Sequence, residues 1–304
     1  MSIGGGTVVV TGASSGMGKA CALRLSEAGY AVFAGVRRET DGQSLRSQGP
    51  GTIVPVILDV TRGATITKAV REVREAVGSE GLTGLVNNAG VAVTGPLELL
   101  PLGELRRQFE INVIGQVAVI QGFLPLIRAA QGRILNVGSV GARFAVPFGA
   151  PLNSSKAAIE SINDSLRMEL RPWGIRVVLI SPGSIRTPAE NKLAADSEKM
   201  LNAFPQEGRA RYGPSYGAFV QALLALESRG VGPEVMAETV LRALEARHPR
   251  SRYPVGPRSR LLPFLFTRLP SSLADRMRMR LFGVHPSCGH DRSLPVRNVP
   301  LLRT

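Results

Sequence analysis

Cysteine, histidine and tryptophan are all scarce in this chain of 304 residues: two, three and one respectively. Two cysteines, Cys21 and Cys288, cannot build a disulfide framework, and neither has a metal-site spacing. That points to a reducing, cytoplasmic setting. No uninterrupted apolar run reaches the length of a bilayer span. The N-terminus, MSIGGGTVVV, lacks a basic leader segment and enters a strand almost at once, so no secretory signal is expected. Aromatic residues make up only 5%. Acidic residues are also few, 23 against 37 basic ones.

What is present fits a soluble globular fold, with 44% hydrophobic and 20% charged residues. The net charge of +14 is unevenly spread. From Arg247 onward there are 12 Arg and 2 Asp, whereas the preceding residues are nearly balanced. A solvated, Arg-biased tail accounts for this, and so does contact with an anionic lipid surface. Nucleic acid is not expected as a partner, because the basic region contains no recognisable binding module.

Strand-like and helix-like segments alternate. Short β-branched runs predict strands at 7–11, 31–36, 52–58, 84–88, 132–139 and 175–181. Helical spacing predicts helices at 16–29, 64–77, 103–130 and 153–171. Continuous apolar runs imply strands covered on both faces, which belong to a parallel sheet with helices on each side. The fold class expected is therefore α/β, a doubly wound parallel sheet in one domain over 1–260. Within it, 185–246 forms a helical substrate segment with breaks at Pro205, Gly213 and Gly230, and 251–256 a last strand. A helical extension over 261–285 and a poorly ordered tail over 286–304 complete the reading. The extension mixes apolar and Arg positions, as interfacial helices do, but Pro263 and Pro270 shorten it; a cover for the chain's own substrate pocket fits equally.

Several motifs carry chemistry. TGASSGMG (11–18) joins the first strand to the first helix, where Gly12 permits a tight turn and Gly16 and Gly18 let backbone approach a pyrophosphate. NNAG (87–90) ends the fourth strand, IN (111–112) lies in the long helix, GS (138–139) ends the fifth strand, and PGSIRT (182–187) follows the sixth. Lys156 stands near the start of the next helix. In this order and spacing the chain resembles the short-chain dehydrogenase/reductase family across residues 6–187. The stretch HPRSRYPVGPRSRLL (248–262) is similar to the hydroxysteroid and retinol dehydrogenase branch.

That resemblance implies roles. Gly12, Ser14, Gly16, Met17 and Gly18 would line a pyrophosphate. Asp59 would hold an adenine amino group with Val60 beside it, although Asp59 also stands where a helix N-cap would. Asn88, Ala89 and Gly90 would follow the adenosine ribose, and Pro182, Gly183, Ile185 and Thr187 the nicotinamide. Relatives that prefer NAD place an acidic residue after the second strand. Here Arg37 and Arg38 stand there, which suits the 2′-phosphate of NADP, with NAD as the alternative and a solvated charge pair as the bland reading. Asn112, Ser139 and Lys156 match the catalytic set. The family's proton-transferring tyrosine, four residues before the lysine, is replaced by Leu152, which has no proton to give. Asn153 is no acid of useful pKa. Tyr212 and Tyr216 could reach the site or could simply pack.

Two functions follow from the resemblance. One is an NADP-dependent oxidoreductase for an apolar alcohol or ketone (steroid, retinoid or lipid-like), the apolar preference resting on the C-terminal stretch and on FAVPF (144–148). The other is a nucleotide-binding protein of the same fold with little catalysis, a sensor or partner subunit. The resemblance further implies a homodimer or homotetramer, paired through the helices at 103–130 and 153–171, and the basic C-terminus allows peripheral membrane contact.

Overall fold

The computed structural model describes residues 5–49, 51–257 and 259–284. The tail expected to be poorly ordered, 286–304, and Cys288 lie outside them. Seven parallel strands form one sheet in the order β3-β2-β1-β4-β5-β6-β7. They are β1 (Thr7–Thr11), β2 (Ala31–Val36), β3 (Ile53–Ile57), β4 (Gly84–Asn87), β5 (Arg133–Val137), β6 (Arg176–Pro182) and β7 (Arg252–Val255). The order reverses between β1 and β4, so the crevice at their carboxyl ends is where an open α/β sheet receives a ligand.

Side-chain alternation along the strands separates two cores. Val8 and Val10 of β1 face α1 (Gly16–Glu27) and α9 (Pro233–Glu245), which meet them with Leu25, Val240 and Leu244. Val9 faces the opposite way, toward α3 (Gly63–Val77) and α5 (Gly115–Ala129), where it joins Val73, Phe123 and Ile127. All six residues of β2 are buried, as expected for a strand covered on both faces. The fold is the doubly wound parallel sheet anticipated from the apolar runs.

Several boundaries differ from those read in the sequence. An additional helix, α2 (Glu39–Arg46), follows β2; its segment ETDGQSLR buries only Gly42 and Leu45 and so has no apolar periodicity to reveal it. The long helix is α4 (Leu102–Phe109), one π-helical turn (Glu110–Ile114) and α5, continuous despite Pro125. This 28-residue stretch is long and apolar enough by length and composition to cross a membrane, which corrects the expectation from uninterrupted runs. Half of its most apolar window is buried, and α5 packs against α3 and β4.

Next, α6 (Ala150–Leu170) begins before residue 153, so Lys156 lies well inside it. After β6 come α7 (Ala189–Asn202) and α8 (Gln206–Ser228). The break expected at Gly213 is absent: α8 runs through both Gly213 and Pro214. Its aromatic residues explain why. Tyr216 and Phe219 are fully buried and pack with Phe148, Phe204 and Phe282, a tertiary anchorage that outweighs the helix-breaking cost of roughly 3 kcal/mol for a proline. The chain then forms α10 (Leu261–Arg268) and α11 (Ser271–Leu281).

Candidate active site

The turn after β1 depends on glycine. Gly12 and Gly16 have φ of +65° and +54°, the left-handed region that favours glycine. A Cβ at Gly18 would stand 2.2 Å from the carbonyl oxygen of Gly12 and 2.5 Å from Asn88 Nδ2. The absence of side chains thus lets α1 close onto its own turn. A Cβ on Gly16 would meet Thr187 at 3.4 Å, which places the loop after β6 opposite this turn. Ser14 and Met17 are half-buried beside it.

Strand β4 is tied to the same turn. Asn88 Nδ2 donates to the Thr11 carbonyl at 3.0 Å and to that of Gly12 at 3.4 Å. The Thr11 hydroxyl accepts from the backbone N–H groups of Asn88 and Ala89 at 2.9 and 3.0 Å. Gln116 Nε2 on α5 donates to the Ala89 carbonyl at 2.8 Å. Thr11 and Gln116 were not among the sequence candidates. Gly90 packs against Asn112, whose Oδ1 would lie 3.3 Å from a Cβ there.

Beyond β2, the two arginines part company. Arg38 is held by a bidentate pair to Asp41, at 3.0 and 2.9 Å. Its guanidinium therefore reads as the solvated charge pair. Arg37 is exposed, and among the described residues no carboxylate lies within ion-pair distance of it. After β3, Asp59 does not cap α3, which starts four residues later with Arg62 at its N-cap. Its Oδ1 instead accepts from the Thr61 N–H at 3.0 Å and hydroxyl at 2.8 Å, a local turn that holds the loop. Val60 is buried, its carbonyl oxygen 2.7 Å from where a Cβ on Gly115 would lie.

The catalytic candidates surround the ends of β5 and α6. Asn112, in the π-helical turn, is fully buried. Its Oδ1 accepts from the Val91 N–H at 2.9 Å, and its Nδ2 donates to the Val91 carbonyl at 3.0 Å. Gln108 repeats the pattern one turn earlier, accepting from Val93 N at 2.8 Å and donating to Ser155 Oγ at 3.1 Å. Gln108 and Ser155, also missed from sequence, hold the loop after β4 against α6. Ser139 Oγ accepts from Gly141 N at 3.1 Å, leaving its own hydrogen free to donate. Lys156 Nζ donates to the Val137 carbonyl at 2.7 Å. Burial, with no carboxylate beside it, depresses the Lys156 pKa to about 8.

Leu152 is half-buried in the first turn of α6, one turn before Lys156 on the same helix face. Among the described residues, the three side chains the sequence offered as substitutes are engaged elsewhere. Asn153 is committed to the loop after β5, donating to the Gly141 carbonyl at 2.7 Å. The Tyr216 hydroxyl is paired with Thr94 Oγ1 at 3.0 Å, and that of Tyr212 donates to Glu98. Both tyrosines thus serve packing and local hydrogen bonding. The FAVPF rings are also engaged elsewhere: Phe144 packs on Phe266 of α10 at 5.1 Å and Phe148 on the α8 aromatics.

The loop after β6 is stapled on three sides. Pro182 ends the strand, in register with Val255. Gly183 N–H bonds the Val255 carbonyl at 3.0 Å, and Thr187 N–H bonds Glu190 at 3.1 Å. Ile185 N–H donates to Glu227 Oε2 at 3.2 Å, and burial raises the Glu227 pKa to about 7. A cavity of about 250 Å3 lies between the segment after Gly90, α4 and α7, with Val93, Leu193, Met200 and Ala203 on its walls. Among the described residues no His, Cys, Asp and Glu group has the arrangement of a metal site.

The family model for short chain dehydrogenase matches residues 6–198. The chain is 34% identical over 274 residues to the NADPH-dependent 3-dehydrocapnine reductase of Ornithobacterium rhinotracheale, covering 88% of this chain and 94% of that protein. It is 35% identical over 273 residues to the 17-beta-hydroxysteroid dehydrogenase type 6 of Bos taurus, covering 88% and 86%. A short chain dehydrogenase from Burkholderia cenocepacia, solved in complex with NADP, superposes with a TM-score of 0.68 at 27% identity, covering 91% of this chain and 99% of that one.

Proposed function

The chain belongs to the short-chain dehydrogenase family, and on that premise we propose that it is an NADP(H)-dependent oxidoreductase, acting between a nicotinamide and an alcohol or ketone with an apolar body. The observation that carries the cofactor reading is the side-chain-free approach at Gly12, Gly16 and Gly18, with Arg37 unpaired by any described carboxylate at the edge of β2. The relatives named for NADPH or bound to NADP support it. Gly12, Ser14, Gly16, Met17 and Gly18 would hold the pyrophosphate, Arg37 the 2′-phosphate, and Asp59, Val60 and Asn88–Gly90 the adenosine. Pro182, Gly183, Ile185, Thr187 and Lys156 would hold the nicotinamide end.

Bound NADPH supplies the hydride. Ser139 offers its free hydrogen to the substrate oxygen, and Asn112 keeps the loop after β4 in place. With leucine at 152, the proton for that oxygen comes from solvent, and turnover is slow. The apolar preference now rests on the cavity where Val93, Leu193, Met200 and Ala203 supply apolar wall between Glu104, Arg107, Asp196 and Lys199, since the FAVPF rings are spent on packing. Leu152, together with the engaged tyrosines, favours the second reading to the same extent: a nucleotide-binding sensor or partner subunit.

Titration of NADPH and NADH separates the cofactor claims. Wild type should bind NADPH more tightly. Arg37→Ala should lower that affinity roughly 10- to 150-fold, as loss of a charge-assisted hydrogen bond of roughly 1.5–3 kcal/mol implies, and leave NADH unchanged. Arg38→Ala should change little, because Asp41 already holds that side chain. Equal affinity of the wild type for both cofactors removes the argument; NADP(H) binding with neither reduction of any ketone by NADPH nor oxidation of any alcohol by NADP+ supports the sensor.

The assembly is proposed to be a homodimer or homotetramer paired through α4–α5 and α6. Leu102, Ile114, Met168 and the neighbouring Trp173 are exposed apolar residues on or beside these helices, which a pairing would cover. The protein is further proposed to be cytoplasmic and able to touch anionic membranes through α10–α11. Those helices expose Leu261, Phe264, Leu273 and Met277 beside a row of arginines. Light scattering should give twice or four times 32.3 kDa, and sedimentation with anionic, but not neutral, vesicles should carry the protein down. A monomer, or equal recovery with both vesicles, would remove the respective claim.

A further inference from the structure

A second cavity, of about 430 Å3, lies between the carboxyl ends of β5 and β6, β7 and α10. Arg143, Arg252, Arg260 and Arg268 all line it, and Ser139 and Ser181 form part of its wall. Carboxylates answer only part of this charge. Glu160 pairs with both Arg143 and Arg252. Asp164 lies 3.8 Å from Arg252 but is shared with Arg167 at 3.2 Å. Among the described residues no carboxylate pairs with Arg260 or Arg268; the Arg268 guanidinium lies 5.2 Å above the Phe264 ring.

Ser181 adds an independent sign of a ligand. It is 4% exposed, and its hydroxyl has no hydrogen-bond partner among the described residues. A buried hydroxyl left unpaired is unfavourable, and an acceptor brought to this wall of the cavity would offset that cost. Arginine forks match the planar edge of an oxyanion, and this cavity presents two, Arg260 and Arg268, that no described carboxylate holds. The space exceeds what a lone oxyanion fills, and Pro254, Pro263 and Phe264 supply apolar wall for the atoms that carry it.

We propose that this cavity receives an oxyanion group of the substrate, a phosphate or carboxylate borne on its apolar body, and so orients the substrate with its reacting oxygen toward Ser139. The proposal rests on the oxidoreductase reading and narrows its substrate class to acidic amphiphiles.

The test is calorimetric titration of the full chain with n-decyl phosphate, n-decanol and inorganic phosphate, in saturating NADP+ so that Arg37 is already occupied. The same titrations are run on the Arg260→Ala/Arg268→Ala variant. Both side chains are exposed, so the fold should survive, and a melting curve checks it. Decyl phosphate should bind at least tenfold more tightly than either decanol or inorganic phosphate. The variant should lose most of that advantage, and added salt should reduce it in the wild type. Three results would overturn the proposal: decanol binding as well as decyl phosphate; an advantage that survives in a folded variant; or inorganic phosphate binding as tightly as its decyl ester, which indicates a free-anion site. Failure of the cofactor reading shows separately, as an absence of heat when NADP+ itself is added.

Discussion

Leu152→Tyr should raise turnover by 10² to 10⁴, the range that a positioned general acid–base group typically contributes, or roughly 3–5 kcal/mol of barrier. The argument rests on what the site keeps. Ser139 has a hydroxyl hydrogen to donate, and Lys156 is buried one turn along the same face of α6. A phenol at 152 would therefore join a site with its neighbours in place. The Lys156 cation would favour phenolate and so lower the new tyrosine's pKa. Affinity for NADPH should barely move, because the proposed contact with the nicotinamide end belongs to Lys156 and not to residue 152. Single-turnover oxidation of NADPH with a panel of neutral and acidic ketones measures the gain, and melting curves establish that the variant folds. A folded, cofactor-binding variant without gain on any ketone would mean that the site serves binding rather than reduction.

How much of this could be read in advance follows from how local each feature is. The strands at 7–11 and 31–36 coincide with their β-branched runs, because a strand covered on both faces needs only continuous apolar residues. α2 was invisible for the opposite reason, burying just Gly42 and Leu45. Gly213 and Pro214 read as a break, but the fully buried Tyr216 and Phe219 decide the matter through contacts with residues far away in the chain. At the site, the glycine turn was legible from its place between a strand and a helix, whereas Lys156 entered only through the family resemblance. The different fates of Arg37 and Arg38 were not legible, since two adjacent arginines look alike until Asp41 chooses one. The four-arginine cavity draws on residues 143, 252, 260 and 268, brought together only when β7 lies down beside β6 and α10 folds over it. Glu227 meets Ile185 across 42 residues, and no local pattern announces it.

Lys156→Met should make the protein more stable at pH 7 and weaken its hold on NADPH. Lys156 is buried, and the hydrogen bond to the Val137 carbonyl is its one protein partner among the described residues. A pKa depressed from 10.5 to about 8 means that the native state disfavours the charged form by about 3 kcal/mol. Below pH 8 the lysine is protonated in both states, so the whole cost is present and does not vary. Between pH 8 and 10.5 the native state has released the proton and the unfolded state still holds it. Stability of the wild type therefore rises with pH across this window, since the unfolded state binds more protons there. Methionine removes both the cost and the slope, less about 1 kcal/mol for the donor that Val137 loses. A net gain of about 2 kcal/mol corresponds to a Tm rise of about 3 °C for a chain of this size. Other groups titrate in the same window, but they are common to both proteins, so the difference between the two stability curves from pH 7 to 10.5 isolates Lys156. A variant less stable than wild type at pH 7, or a difference that does not shrink as pH rises, would show that the lysine is not a strained cation held for function.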